Sequence, residues 1–169
     1  MNFVLCGMMA CGKTTVGKAL AGVLGRPFFD TDEMIAARYG AIADIFARSG
    51  EKEFRRLESE TVEEAAALDG VVIATGGGAM SASENVAACK KNGKIIFLRA
   101  SIETLIARLE GDTSRPLLQG ECWQETLKEL LKKRMDSYLA AADIVVDVDG
   151  KTPTEIVAEL MKRIGSEVE

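Results

Sequence analysis

Residues 7–14 read Gly-Met-Met-Ala-Cys-Gly-Lys-Thr, which fits the pattern G-x-x-x-x-G-K-[ST]. Such a loop turns backbone N–H groups toward one centre, and its glycines let the chain approach an anion with no Cβ in the way. The helix that follows adds unbonded N–H groups and the positive end of its dipole. Lys13 supplies a mobile cation for the β- and γ-phosphates, and the Thr14 hydroxyl a ligand for Mg²⁺. The chemistry expected is the binding of ATP and Mg²⁺, with Ala10, Cys11, Gly12, Lys13, Thr14 and Thr15 around the phosphates. The competing view is a glycine turn before a helix whose lysine faces water.

Other residues are less decisive. Asp30 and Asp32 follow an apolar "PFF" run, at the strand end where ligands gather in open α/β sheets. One carboxylate suits a Mg²⁺ water and the other a hydroxyl proton. Taken alone, "DTD" favours a helix N-cap at Asp32, with Glu33 in the first turn. Gly76, Gly77 and Gly78 follow a second apolar run and admit either a close backbone approach or a flexible turn. Arg55 and Arg56 stand three or four residues from glutamates, and Arg134 ends a cationic run, so spacing alone makes them surface charges. Arg115 precedes Pro116 in an aperiodic stretch, where a lid arginine can close over a triphosphate. The chain has no histidine, so any general base is Asp, Glu, Lys, Tyr or Cys.

The elements that must hold these residues alternate. Apolar runs at 2–6, 71–75 and around 95–99 and 144–148 read as buried strands. Helical periodicity follows each, with glycine stops at Gly25, Gly40, Gly50 and Gly70 and a Thr152 cap before Pro153. That alternation predicts one α/β domain over 1–169: a doubly wound, five-stranded parallel sheet flanked by helices in three layers. A helical acceptor region is expected at about 31–62 and a lid at about 110–124.

Composition narrows the classes. The net charge of -5 argues against a general nucleic-acid binder. No apolar run approaches the ~20 residues of a membrane span, and the N-terminus lacks a basic leader. Four scattered cysteines without histidine complete no zinc set and suit reduced thiols in a cytoplasmic protein.

Taken in order, "GMMACGKTTVGKAL", "FFDTD", "EKEFRRLE", "ATGGG", "SRPLL" and "RMDSY" resemble the shikimate kinases, P-loop kinases of the nucleoside-monophosphate-kinase-like fold. The resemblance covers nearly the whole chain. It implies transfer of the ATP γ-phosphoryl to the 3-hydroxyl of shikimate, a step toward aromatic amino acids, by a monomer that binds neither membrane nor nucleic acid. It further implies Thr14 and, through water, Asp30 for Mg²⁺, Asp32 on the acceptor hydroxyls as base or orienting group, and Arg55 and Arg134 on the carboxylate. Glu58 would hold an arginine, Gly77 and Gly78 would approach shikimate, Arg115 would serve the lid, and Arg108 would lie against adenine. A gluconate-type kinase and a P-loop module that transfers nothing are the alternatives. The loop departs from the family at Ala10, where glycine is usual, so a positive φ there should change or be strained. Cys11 is also unusual, and its thiol is expected to be open to alkylation and protected by ATP.

Overall fold

Strands β1 (Asn2–Cys6), β2 (Phe28–Asp30), β3 (Val72–Ala74), β4 (Gly93–Arg99) and β5 (Ile144–Asp147) form one sheet, all pairs parallel, in the order β2-β3-β1-β4-β5. The structure is a computed structural model that describes residues 1–111 and 120–165. The inner strands β1 and β3 and the middle of β4 are buried because both faces are covered, while edge strand β2 is half-buried. Phe3, Leu5, Ile96, Leu98 and Val146 enter one core. Val4, Cys6, Ile95, Phe97 and Ile73 enter the other, as the two-residue period of a strand requires.

The helices are α1 (Lys13–Leu24), α2 (Thr31–Tyr39), α3 (Ile42–Ala66), α4 (Ser83–Lys91), α5 (Ile102–Leu109), α6 (Trp123–Ala141) and α7 (Pro153–Gly165), with a 3-10 turn at Ala79–Ser81. The predicted stops hold. Gly25 ends α1 at φ 63, and Gly50 breaks α3 into two segments at φ 80. Thr152 caps α7 in a capping box: its Oγ1 accepts from the Glu155 N–H at 3.3 Å, and Glu155 Oε2 accepts from the Thr152 N–H at 2.7 Å.

Strand order has a functional result. β1 is central, so the loop leaving its carboxyl end opens over the middle of the sheet. The loops after β2 and β3 lie beside it on the same edge.

Candidate active site

The loop between β1 and α1 is shaped by three residues at positive φ: Gly7 at 143, Ala10 at 63 and Gly12 at 101 degrees. Ala10 keeps the left-handed conformation and its Cβ bears the strain. A Cβ on Gly7 would stand 2.7 Å from the Leu98 carbonyl oxygen, which explains glycine there. Lys13 curls back over the loop, and its Nζ donates to the carbonyls of Gly7 and Met8 at 2.9 and 3.0 Å. The same ammonium lies 3.9 Å from Cys11 Sγ. Cys11 is 1% exposed, which corrects the expectation of an accessible thiol; the exposed cysteine is Cys122. Beside the loop, Arg108 donates from Nη1 to the Ala10 carbonyl at 3.0 Å. It lines a cavity of about 420 Å³ with Ala10, Gly12, Thr15, Lys151 and Pro153.

The three residues of "DTD" have three positions. Asp30 ends β2 and caps α2, its Oδ1 accepting from the Asp32 and Glu33 N–H groups. Its Oδ2 accepts from the Thr14 hydroxyl at 2.7 Å. The cap is therefore Asp30 and not Asp32, because the strand runs on to residue 30 and the helix starts at Thr31. Buried Thr31 accepts the Gly76 N–H at 3.2 Å and so ties α2 to the glycine loop. Asp32, in the first turn of α2, faces a cavity of about 540 Å³.

That cavity gathers residues far apart in the chain. Arg55 and Glu58 come from the second segment of α3, Arg134 from α6, and Gly76, Gly77 and Gly78 from the loop after β3. Arg55 Nη1 bonds Glu58 Oε2 at 2.6 Å, and Glu58 is 2% exposed. Burial raises the Glu58 pKa above the usual carboxylate range, and Arg55 opposes that shift. The glycines make room for these groups. A Cβ on Gly76 would meet Glu58 Oε1 at 2.6 Å and Asp32 Oδ1 at 2.9 Å. On Gly77 it would stand 3.2 Å from Arg134 Nη1, and on Gly78 it would lie 2.4 Å from Arg55 Nη1. Of the two views of the triplet, close approach is the one the geometry favours, and what approaches includes the protein's own side chains.

Met9, Ala36, Ile42, Phe46 and Phe54 supply an apolar wall, with the Phe46 and Phe54 rings 4.7 Å apart. Sequence reasoning missed these residues, since apolar positions at helical spacing look like core. It also missed Thr31, Lys151 and Tyr138; the last lies inside the "RMDSY" motif. A larger groove of about 1230 Å³ along α3, α4 and α6 meets the cavity at Arg55, Glu58, Gly78 and Arg134. Its remaining walls carry five glutamates against three lysines and Arg56, while Arg55 and Arg134 also face the smaller space. Arg56, by contrast, is exposed and paired with Glu53 and Glu60, the surface role that spacing predicted. Arg115 and most of the expected lid lie outside the described residues.

A donor loop at the central strand, with a polar cavity beside it on the same sheet edge, defines a P-loop kinase of the nucleoside-monophosphate-kinase-like fold. A family model for shikimate kinase matches residues 9–165. The chain belongs to the shikimate kinase family. A shikimate kinase from Symbiobacterium thermophilum is 46% identical over 97% of this chain and 96% of its own length. The solved shikimate kinase from Acinetobacter baumannii in complex with shikimate superposes with a TM-score of 0.94 at 35% identity, covering 98% of this chain and 93% of that one. A gluconokinase from Sinorhizobium meliloti shares the fold alone, with a TM-score of 0.57 at 18% identity over 99% of this chain and 97% of its own.

Proposed function

We propose that the chain transfers the γ-phosphoryl of ATP to the 3-hydroxyl of shikimate, with the cavity of Asp32, Arg55, Glu58 and Arg134 as the acceptor site. The observation that carries this reading is the placement of two guanidiniums and two carboxylates in one cavity that borders the phosphate loop at Met9 and Gly77. Shikimate offers a planar carboxylate, a ring and several hydroxyls. Paired guanidiniums suit the first, the Phe46–Phe54 wall the second, and the Asp32 carboxyl group the third. Glu58 fixes Arg55, and Gly77 and Gly78 leave space for both arginines. Residues 31–62 thus serve as the acceptor region.

On the donor side, the N–H groups from Ala10 to Thr15 receive the phosphates, and Arg108 and Lys151 flank the base. The Thr14 hydroxyl and the Asp30 carboxylate, 2.7 Å apart, are hard oxygen donors on adjacent elements and fit Mg²⁺. Held by these two residues, Mg²⁺ would supply positive charge against the transferring phosphoryl group. Asp32 accepts the proton of the 3-hydroxyl as its oxygen forms the bond to phosphorus. Lys13 and Arg115, the latter assigned from its place in the sequence, stabilise charge as the bond to ADP breaks. We read the enzyme as a cytoplasmic monomer without a nucleic-acid partner, in keeping with its net charge of -5.

Release of ADP from ATP and Mg²⁺ tests this. Shikimate should raise the rate by at least about 1,000-fold over no acceptor, and gluconate should not. A folded sample that gluconate stimulates equally would overturn the acceptor assignment.

A further inference from the structure

Tyr138 is a buried phenol set between the two loops of the site. Its ring packs on Phe97 of β4, with centroids 4.9 Å apart. Its hydroxyl donates to the Gly77 carbonyl and lies 3.8 Å from Met8 Sδ. Arg134, four residues earlier and on the same face of α6, places Nη1 3.9 Å from that sulfur. One helix face therefore carries a guanidinium of the cavity and the phenol that ties the loop behind it.

The bond to Gly77 acts on more than one atom. In a planar trans peptide the carbonyl of Gly77 and the N–H of Gly78 point to opposite sides, so holding one aims the other. Glycine on both sides of that peptide leaves its plane unconstrained by side chains. The bond also tethers this rigid unit as a whole to α6, both Cα atoms included, and each Cα gives clearance to one arginine. Gly77 accommodates Arg134, and Gly78 accommodates Arg55. Burial raises the Tyr138 pKa above its ordinary value, so the hydroxyl keeps its proton and stays a donor across the working range.

We propose that Tyr138 is a positioning residue, whose hydroxyl anchors the Gly77–Gly78 peptide and thereby keeps open the clearances in which Arg134 and Arg55 sit to meet one carboxylate. This rests on the acceptor site proposed above. Tyr138 is not among the residues that line the acceptor cavity, and its effect runs through Gly77.

The test removes one oxygen. Tyr138→Phe should raise the KM for shikimate about tenfold, with the KM for ATP changed less than about twofold. Phe97→Leu loosens the same ring packing but keeps the hydroxyl, and should leave the shikimate KM within about twofold of the parent. Equal effects of Tyr138→Phe on both KM values, or an equal rise in shikimate KM with Phe97→Leu, would reduce Tyr138 to a packing residue. Arg134→Ala separates this from the site assignment. If Arg134→Ala leaves the shikimate KM unchanged, the acceptor site itself is wrong. If it raises that KM while Tyr138→Phe does not, only the role of Tyr138 falls. Should Tyr138→Phe fail to fold, the parent labelled with 3-fluorotyrosine at both tyrosines gives the answer. Shikimate without nucleotide should shift the fluorine resonance of the buried tyrosine, and an unmoved resonance at saturation would refute the proposal.

Discussion

The phosphate loop and the acceptor cavity meet at Met9 and Gly77, yet they are built by opposite means. The phosphate loop is contiguous in sequence and made largely of backbone. The acceptor side is made of side chains drawn from α2, α3 and α6. Their glycines show the contrast best. A Cβ on Gly7 would collide with a main-chain oxygen, that of Leu98, at 2.7 Å, and Gly7 also sits at φ 143. A Cβ on Gly78 would collide with the end of the Arg55 side chain at 2.4 Å, and Gly78 has an ordinary negative φ of -97. Backbone cannot step aside, whereas a long side chain can. Damage to the donor loop should therefore cost the fold, and damage to the acceptor loop should cost recognition.

The largest effect expected bears on the acceptor side. Asp32→Asn should lower kcat by about 10²- to 10⁴-fold with little change in Tm, since Asp30 provides the helix cap. Near-normal turnover would remove Asp32 from the chemistry. Gly7→Ala and Gly78→Ala probe the contrast directly. The first should destabilise the fold by about 2–4 kcal/mol in denaturant titrations, through strain and the Leu98 contact. The second should keep Tm within about 2 °C and raise the shikimate KM about tenfold as Arg55 is pushed away. If Gly78→Ala unfolds the protein as readily as Gly7→Ala, the distinction fails. A smaller gain is expected at Ala10, where glycine relieves the left-handed strain but adds freedom to the unfolded chain; Ala10→Gly should raise Tm by about 1–2 °C. The smallest effect concerns the thiols. Brief treatment with a thiol reagent should modify Cys122 and leave most activity, because Cys6, Cys11 and Cys89 are buried. Rapid ATP-sensitive inactivation at Cys11 would show that the loop opens in solution.

Much of the donor side was legible in the sequence because its determinants are adjacent. Eight consecutive residues set the loop, and the apolar run before and the helical period after place it. The order of strands and helices was legible for the same reason, down to the break at Gly50. The acceptor side was legible only through the resemblance. Arg55 has Glu58 three residues on, which looks like any surface pair, and nothing in that spacing shows Glu58 to be 2% exposed. Phe46 and Phe54 look like core because a cavity wall and a core share the same period. "DTD" was ambiguous because a two-residue shift in where the helix starts decides which aspartate caps it. Ala10 and Cys11 divide the expectations on the loop: strain at Ala10 agrees with its φ of 63, while the thiol lies inward.

The position of Lys13 has a consequence for how an anion enters. Its ammonium has three N–H bonds. Two go to the carbonyls of Gly7 and Met8, and the third neighbour is the sulfur of Cys11 at 3.9 Å. Sulfur is a poor acceptor, so this third place is weakly held. If Lys13 serves the phosphates as proposed, an arriving phosphate oxygen would displace that partner first, a soft neighbour exchanged for a hard one while the two carbonyls tie the ammonium to the loop.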